Sequence, residues 1–185
     1  RRKREKPFLA VVSFINPHDI CLPAGGTSPI LDQVWNRYQP PAGAELPPLP
    51  ANFGNTEGAP EGFSRKALHD DWDENQWRRY TYAYYRMMED VDRQVGQVLE
   101  ALRQSGQEDN TIIVFTSDHG EGLASHRWTG KMMYYQEEAA VPLIVSWKGV
   151  TPAGRIDREH LVSALDVLPT ICDYAGVKSQ AVMRG

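Results

Sequence analysis

Residues 111–121 read Thr-Ile-Ile-Val-Phe-Thr-Ser-Asp-His-Gly-Glu (TIIVFTSDHGE), a β-branched and aromatic run that gives way abruptly to polar residues and a glycine. A short continuous apolar run of this kind fits a strand buried on both faces, and a strand is expected over 111–116. Asp118 and His119 follow it side by side, just before Gly120, which lets the backbone turn sharply. A carboxylate and an imidazole held together can grip a divalent cation. Asp is equally a favoured helix N-cap, a role that would leave His119 incidental.

Working outward, residues 73–105 place Trp77, Tyr80, Tyr84, Met87 or Met88, Val91, Val95, Val98 or Leu99, and Leu102 at helical spacing, with Gly106 as the C-terminal stop. Two further apolar runs, 7–14 (PFLAVVSF) and 141–147 (VPLIVSW), read as buried strands, and 162–174 (VSALDVLPTICDY) reads as a helix ended by Gly176. Strands alternating with helices imply an α/β fold with a mostly parallel sheet flanked by helices. Ligands of such sheets sit at the carboxyl ends of strands. His18, in the turn Asn16-Pro17-His18-Asp19 after the first run, and the Asp118–His119 pair both fall at such ends, so one shared site is expected.

Other residues with chemical potential are less specific. His18 can donate to an anion or protonate a leaving group, or simply bond a nearby carbonyl in its turn. Lys131 and His126 lie in the polar, Gly-containing segment after Gly120 (EGLASHRWTGK), where a lysine is ordinarily a solvated charge and a histidine has no assigned task. Trp72, Trp77, Tyr80, Tyr82, Tyr84 and Tyr85 suggest a carbohydrate-stacking surface, but aromatics at helical spacing are more often core. Glu89, Asp90 and Asp92 are expected on the wet side of the long helix. Residues 23–74 are rich in Pro and Gly with weak periodicity and read as an insert or loop.

The 185 residues suit one domain or part of a larger one. The net charge is -4, and no basic stripe is interleaved with aromatics, so nucleic acid is not an expected partner. No apolar run approaches the roughly 20 residues that cross a bilayer, and no secretory leader opens the sequence. The basic opening, residues 1–6, reads as a solvated end. Cys21 and Cys172 stand far apart and in no redox or metal spacing.

Five elements in order resemble the sulfatase family of the alkaline phosphatase superfamily: PFLAVVSFINPHD, then the run from YYRMMEDVD to SDHGEGLASH, then Lys131, then EEAAVPLIVSWKG, then SALDVLPTICDYAGV. The resemblance implies an incomplete alkaline-phosphatase-like α/β fold, a partial catalytic domain over 1–185. It implies that Asp118 and His119 are metal ligands and that His18 and Lys131 are catalytic and contact the sulfate; His126, in the same segment as Lys131, is a further substrate-binding candidate. It further implies hydrolysis of a sulfated small molecule or carbohydrate, with a divalent metal (Ca2+ foremost, Mn2+ or Zn2+ otherwise) and a formylglycine nucleophile made from Cys-x-Pro-Ser-Arg. Cys21-Leu22-Pro23-Ala24-Gly25 lacks the serine and arginine of that motif and follows the Pro-His element instead of preceding it. The chain therefore reads as the C-terminal part of the domain, and an isolated chain without the nucleophile is expected to be inactive. A phosphoryl or phosphonate ester hydrolase and a non-catalytic anion- or metal-binding fragment remain as alternatives. Compartment stays open among periplasmic, secreted and lysosome-like settings, as does oligomeric state.

Overall fold

The computed structural model describes residues 7–21, 33, 35–57, 69, 71–178 and 183. Its spine is helix α1, Glu74–Ser105. The helix begins where Asp73 Oδ1 accepts from the Gln76 amide at 2.8 Å while Gln76 Oε1 accepts from the Asp73 amide at 2.9 Å, a reciprocal cap that satisfies two otherwise orphaned donors. It stops at Gly106, whose φ of 72° is the left-handed conformation expected of a helix-ending glycine.

The N-terminal half of α1 carries the core. Tyr80, Ala83 and Met87 are fully buried against Ile20 and Tyr38, with Trp35, Trp72, Tyr84 and Leu123 packed around them. The helical aromatics are thus core rather than a sugar-stacking surface at Trp77 and Tyr80, while Tyr85 is exposed. Asp90 corrects the expectation of a wet acidic face. It is buried, its Oδ2 accepts from Tyr38 Oη at 2.6 Å, and Arg93 pairs with Oδ1. Tyr38 lies far away in sequence, so helical spacing alone gives no sign of this partner. The Tyr38 hydrogen bond is the main influence holding the Asp90 carboxyl below its usual range.

Two strands are described, β1 (Ile112–Thr116) and β2 (Leu143–Trp147), paired antiparallel from Ile112 opposite Trp147 to Thr116 opposite Leu143. A mostly parallel order is therefore not what the described sheet shows. A parallel return needs a crossover, usually helical, whereas the intervening chain holds a 3-10 turn at Ser125–Arg127 and the one-turn helix α2 (Gln136–Ala139) and returns antiparallel. Residues 7–14 form no strand, contrary to expectation, and Leu9 and Val11 are strongly exposed. An apolar run specifies a tendency to be buried but not the neighbour that does it. The last helix, α3 (Val167–Tyr174), follows a 3-10 turn at Ala164–Asp166, so the helical stretch expected over 162–174 starts later and in two pieces. No described helix is long and apolar enough to cross a membrane.

Candidate functional site

The end of β1 leads straight into the site. Gly120 and Gly122 pass so close to neighbouring chain that side chains are excluded: a Cβ on Gly120 would be driven into the Glu137 carbonyl oxygen, and one on Gly122 would lie 2.5 Å from Trp128 Cδ1. This close approach lets the Gly120 amide donate to Glu138 O at 2.8 Å, the Glu121 amide to Glu137 O at 3.2 Å, and the Gly122 amide to Gly130 O at 2.8 Å. The loop after β1 is thereby sewn to the residues before β2.

Three side chains meet there, two from this loop and one from a distant stretch of the chain. Lys131 Nζ lies 3.0 Å from His119 Nε2 and 3.2 Å from His18 Nδ1. His18 sits in the turn His18–Ile20, whose Ile20 is anchored in the core under α1. An ammonium has donors only, so both facing ring nitrogens accept. His119 Nδ1 then donates to the Gly120 carbonyl at 2.8 Å, which fixes its tautomer. His18, His119 and Lys131 are thus brought together, and the cluster is open to solvent at His18.

Asp118 points outward, its side chain 83% exposed, with Oδ2 3.5 Å from His119 Nε2. Burial alone would raise its carboxyl, but the hydrogen bond from the His119 amide and the electrostatic pull of the His119 ring hold it below the usual range. An oxygen and a nitrogen donor converging in this way, with the imidazole steadied on its far side by a carbonyl, suit one edge of a divalent-metal site. Among the described residues no group of three or more His, Cys, Asp and Glu side chains converges that could hold a metal ion.

His126 is placed in a latch. Its Nδ1 faces Asn55 O at 2.6 Å, its Nε2 faces Asn52 Nδ2 at 3.1 Å, and the ring stacks on Tyr135 at 4.1 Å. Asn52 also donates to Glu137 Oε1 at 2.7 Å. The latch fastens residues 52–55 to the site loop. Cys21 and Cys172 are free thiols, and burial chiefly pushes the Cys21 thiol up, opposed by the nearby Lys131 charge. Two carboxylates of structural weight, Glu121 and Glu138, do not stand out in the sequence pattern. Glu121 accepts from Tyr80 Oη at 2.5 Å and from the Gly130 amide, and Glu138 accepts from the Met133 amide at 2.7 Å. The one local signal for Glu121 is its position between two glycines; Glu138 has none.

The family description Sulfatase matches residues 1–177. A Delta 4,5-hexuronate-2-O-sulfatase of Bacteroides thetaiotaomicron is 32% identical over 98% of this chain and 39% of its own length. The multifunctional alkaline phosphatase superfamily protein PehA of Trinickia caryophylli is 37% identical over 61% of this chain and 22% of its own. The solved structure of a 2-O GAG sulfatase superposes with a TM-score of 0.71 at 31% identity, covering 90% of this chain and 37% of that one. The chain spans less than half the length of each of these proteins.

Proposed function

Because the chain belongs to the sulfatase family, we propose that His18, His119, Lys131 and Asp118 form part of the site of a sulfuric ester hydrolase. The observation that supports this reading is the ammonium of Lys131 held between two imidazoles at the end of β1. A sulfate group is a compact anion with several acceptor oxygens, and donors fixed in place before it arrives stabilise the charge that develops on it. Lys131 binds one sulfate oxygen. His18, with Nδ1 turned to Lys131, presents the opposite ring nitrogen and its proton towards the leaving oxygen. The reaction converts a sulfate ester and water to an alcohol and sulfate. Asp118 and His119 would hold a divalent cation that would polarise the sulfate, with His119 Nε2 freed for it as Lys131 turns its ammonium from that nitrogen to the sulfate. A formylglycine nucleophile belongs to the same proposal, and no Cys-x-Pro-Ser-Arg stretch occurs in these 185 residues.

The relatives named for 2-O-sulfate esters of hexuronate and glycosaminoglycan favour a sulfated carbohydrate as substrate. Phosphoryl or phosphonate ester hydrolysis is the second reading, favoured by the match to PehA and by His119. Calcium prefers oxygen ligands, so a nitrogen donor leaves manganese or zinc open. The deciding experiment assays the full natural chain on aryl sulfate, aryl phosphate and a 2-O-sulfated unsaturated hexuronate disaccharide, with and without chelator. Sulfate release that Lys131→Ala cuts by roughly 100-fold, the scale of one oxyanion-stabilising group, supports the proposal. Turnover of the phosphate alone overturns it in favour of the second reading.

A further inference from the structure

Lys131 is a flexible side chain on an awkward piece of backbone. Gly130 has a φ of 82° and Met132, a residue with a side chain, has a φ of 98°. Glycine adopts a positive φ freely, but at Met132 it costs free energy and persists only where the surroundings impose it. The surroundings here are two carboxylates. Glu121 Oε1 accepts from the Gly130 amide, one residue before Lys131, and from the hydroxyl of Tyr80, which is fully buried in α1. Glu138 Oε2 accepts from the Met133 amide, two residues after Lys131, while its own carbonyl accepts from the Gly120 amide beside His119. Hydrogen bonds to a charged acceptor are among the stronger ones available to an amide.

We propose that Glu121 and Glu138 are positioning residues, a two-carboxylate clamp on either side of Lys131 that presents its ammonium to His18 and His119. The inference rests on the anion-binding reading of that cluster. Both carboxylates are of the wrong sign to attract a sulfate, so their contribution is through backbone placement: Glu121 ties the lysine to α1, and Glu138 ties it to the His119 turn. Tyr80 extends the clamp into the core.

The test is calorimetric titration of inorganic sulfate into the full natural chain and into Lys131→Ala, Glu121→Ala, Glu121→Gln, Tyr80→Phe and the double variant Glu121→Ala/Lys131→Ala. Lys131→Ala is expected to weaken sulfate binding about tenfold, the scale of one lost charged contact. Glu121→Ala and Tyr80→Phe are expected to weaken it several-fold, and the double variant no further than Lys131→Ala alone, because groups acting through one another are not additive. Glu121→Gln keeps an oxygen that accepts from both donors and should restore binding to within about twofold. Tyr80→Phe preserves core packing and carries the test if Glu121→Ala fails to fold. Tighter binding in Glu121→Ala, or the same weakening with and without Lys131, overturns the clamp while leaving the anion site standing. Unchanged binding in Lys131→Ala overturns both.

Discussion

The loop between β1 and β2 and the sheet that it connects are built in opposite ways. In the loop and the adjoining half of α1 the chain is closed. Tyr80, Ala83, Met87 and Ala124 are fully buried, and glycines sit where neighbouring backbone leaves no room for a methyl group. In the sheet and its surroundings the chain is open. Val11 is 83% exposed, Ile144 56% and Leu165 64%, so apolar side chains that a sheet core would hide face outward. The cluster of His18, His119 and Lys131 belongs to the closed region. Its geometry is fixed by hydrogen bonds between loop and helix, with β1 contributing a direction of exit. A site of this kind does not depend on a completed sheet for its internal distances.

The sharpest way to break the comparison is to place the same methyl group in both regions. Gly120→Ala drives a Cβ into the Glu137 carbonyl and must force the two halves of the loop apart. We expect a loss of about 3 kcal/mol or more, the upper range for overpacking, read as a fall in thermal midpoint, together with loss of sulfate binding. Gly149→Ala in the open region meets nothing within 4 Å and bears only a left-handed φ of 78°. It should cost about 1 kcal/mol, the scale of an unfavourable backbone conformation alone. Equal effects would show that the loop yields as easily as the surface.

Much of the closed region is legible in the sequence. The run TIIVFT and the abrupt SDHGE announce a strand and the polar turn that ends it, and Asp73 and Gly106 bound α1, because strand ends and helix stops are written in adjacent residues. His18 and Lys131 stand out as candidates, whereas their meeting is a tertiary fact. Asp90 has the spacing of a wet-face acid, and the Tyr38 hydroxyl that satisfies it arrives from a distant loop. Glu121 and Glu138 are inconspicuous for a related reason: a glutamate that binds backbone amides looks in sequence like any surface acid. Residues 7–14 and the sheet order depart from expectation for a different one, since a strand's partner is chosen by the rest of the molecule.

A smaller effect probes the electrostatic cost of closure. Glu138 is buried and its Oε1 has no hydrogen-bond partner among the described residues. Burial, then the charge of Glu121, raises its carboxyl above the usual value, against the pull of the Met133 amide and His119. A carboxyl raised on folding contributes stability that is complete below its unfolded value and is lost as pH rises through its folded one. Glu138→Gln removes the charge and keeps an acceptor for Met133. The variant should therefore melt a few degrees above the parent at neutral pH, consistent with a change of about 1 kcal/mol in a chain of this size. That advantage should shrink as the pH falls through the raised carboxyl range. An advantage that does not vary with pH would mean that packing, rather than charge, sets the difference.

The smallest effect is expected where the molecule is open. Ile144 alternates outward along β2, opposite Phe115 in the register, and more than half of it is already in water. Replacing it with serine removes little buried surface, so Ile144→Ser should change stability by no more than about 0.5 kcal/mol, measured by urea unfolding of these 185 residues. The same substitution at a site buried by another surface would cost several times more, since each methylene withdrawn from water is worth about 0.8 kcal/mol. The measurement therefore reads the state of the sheet face directly. A cost that grows with protein concentration would show copies covering the face in solution, and a large cost independent of concentration would show that this chain closes over its own sheet. Either result would dissolve the contrast between the two regions, while the distances around Lys131 would still need the loop to explain them.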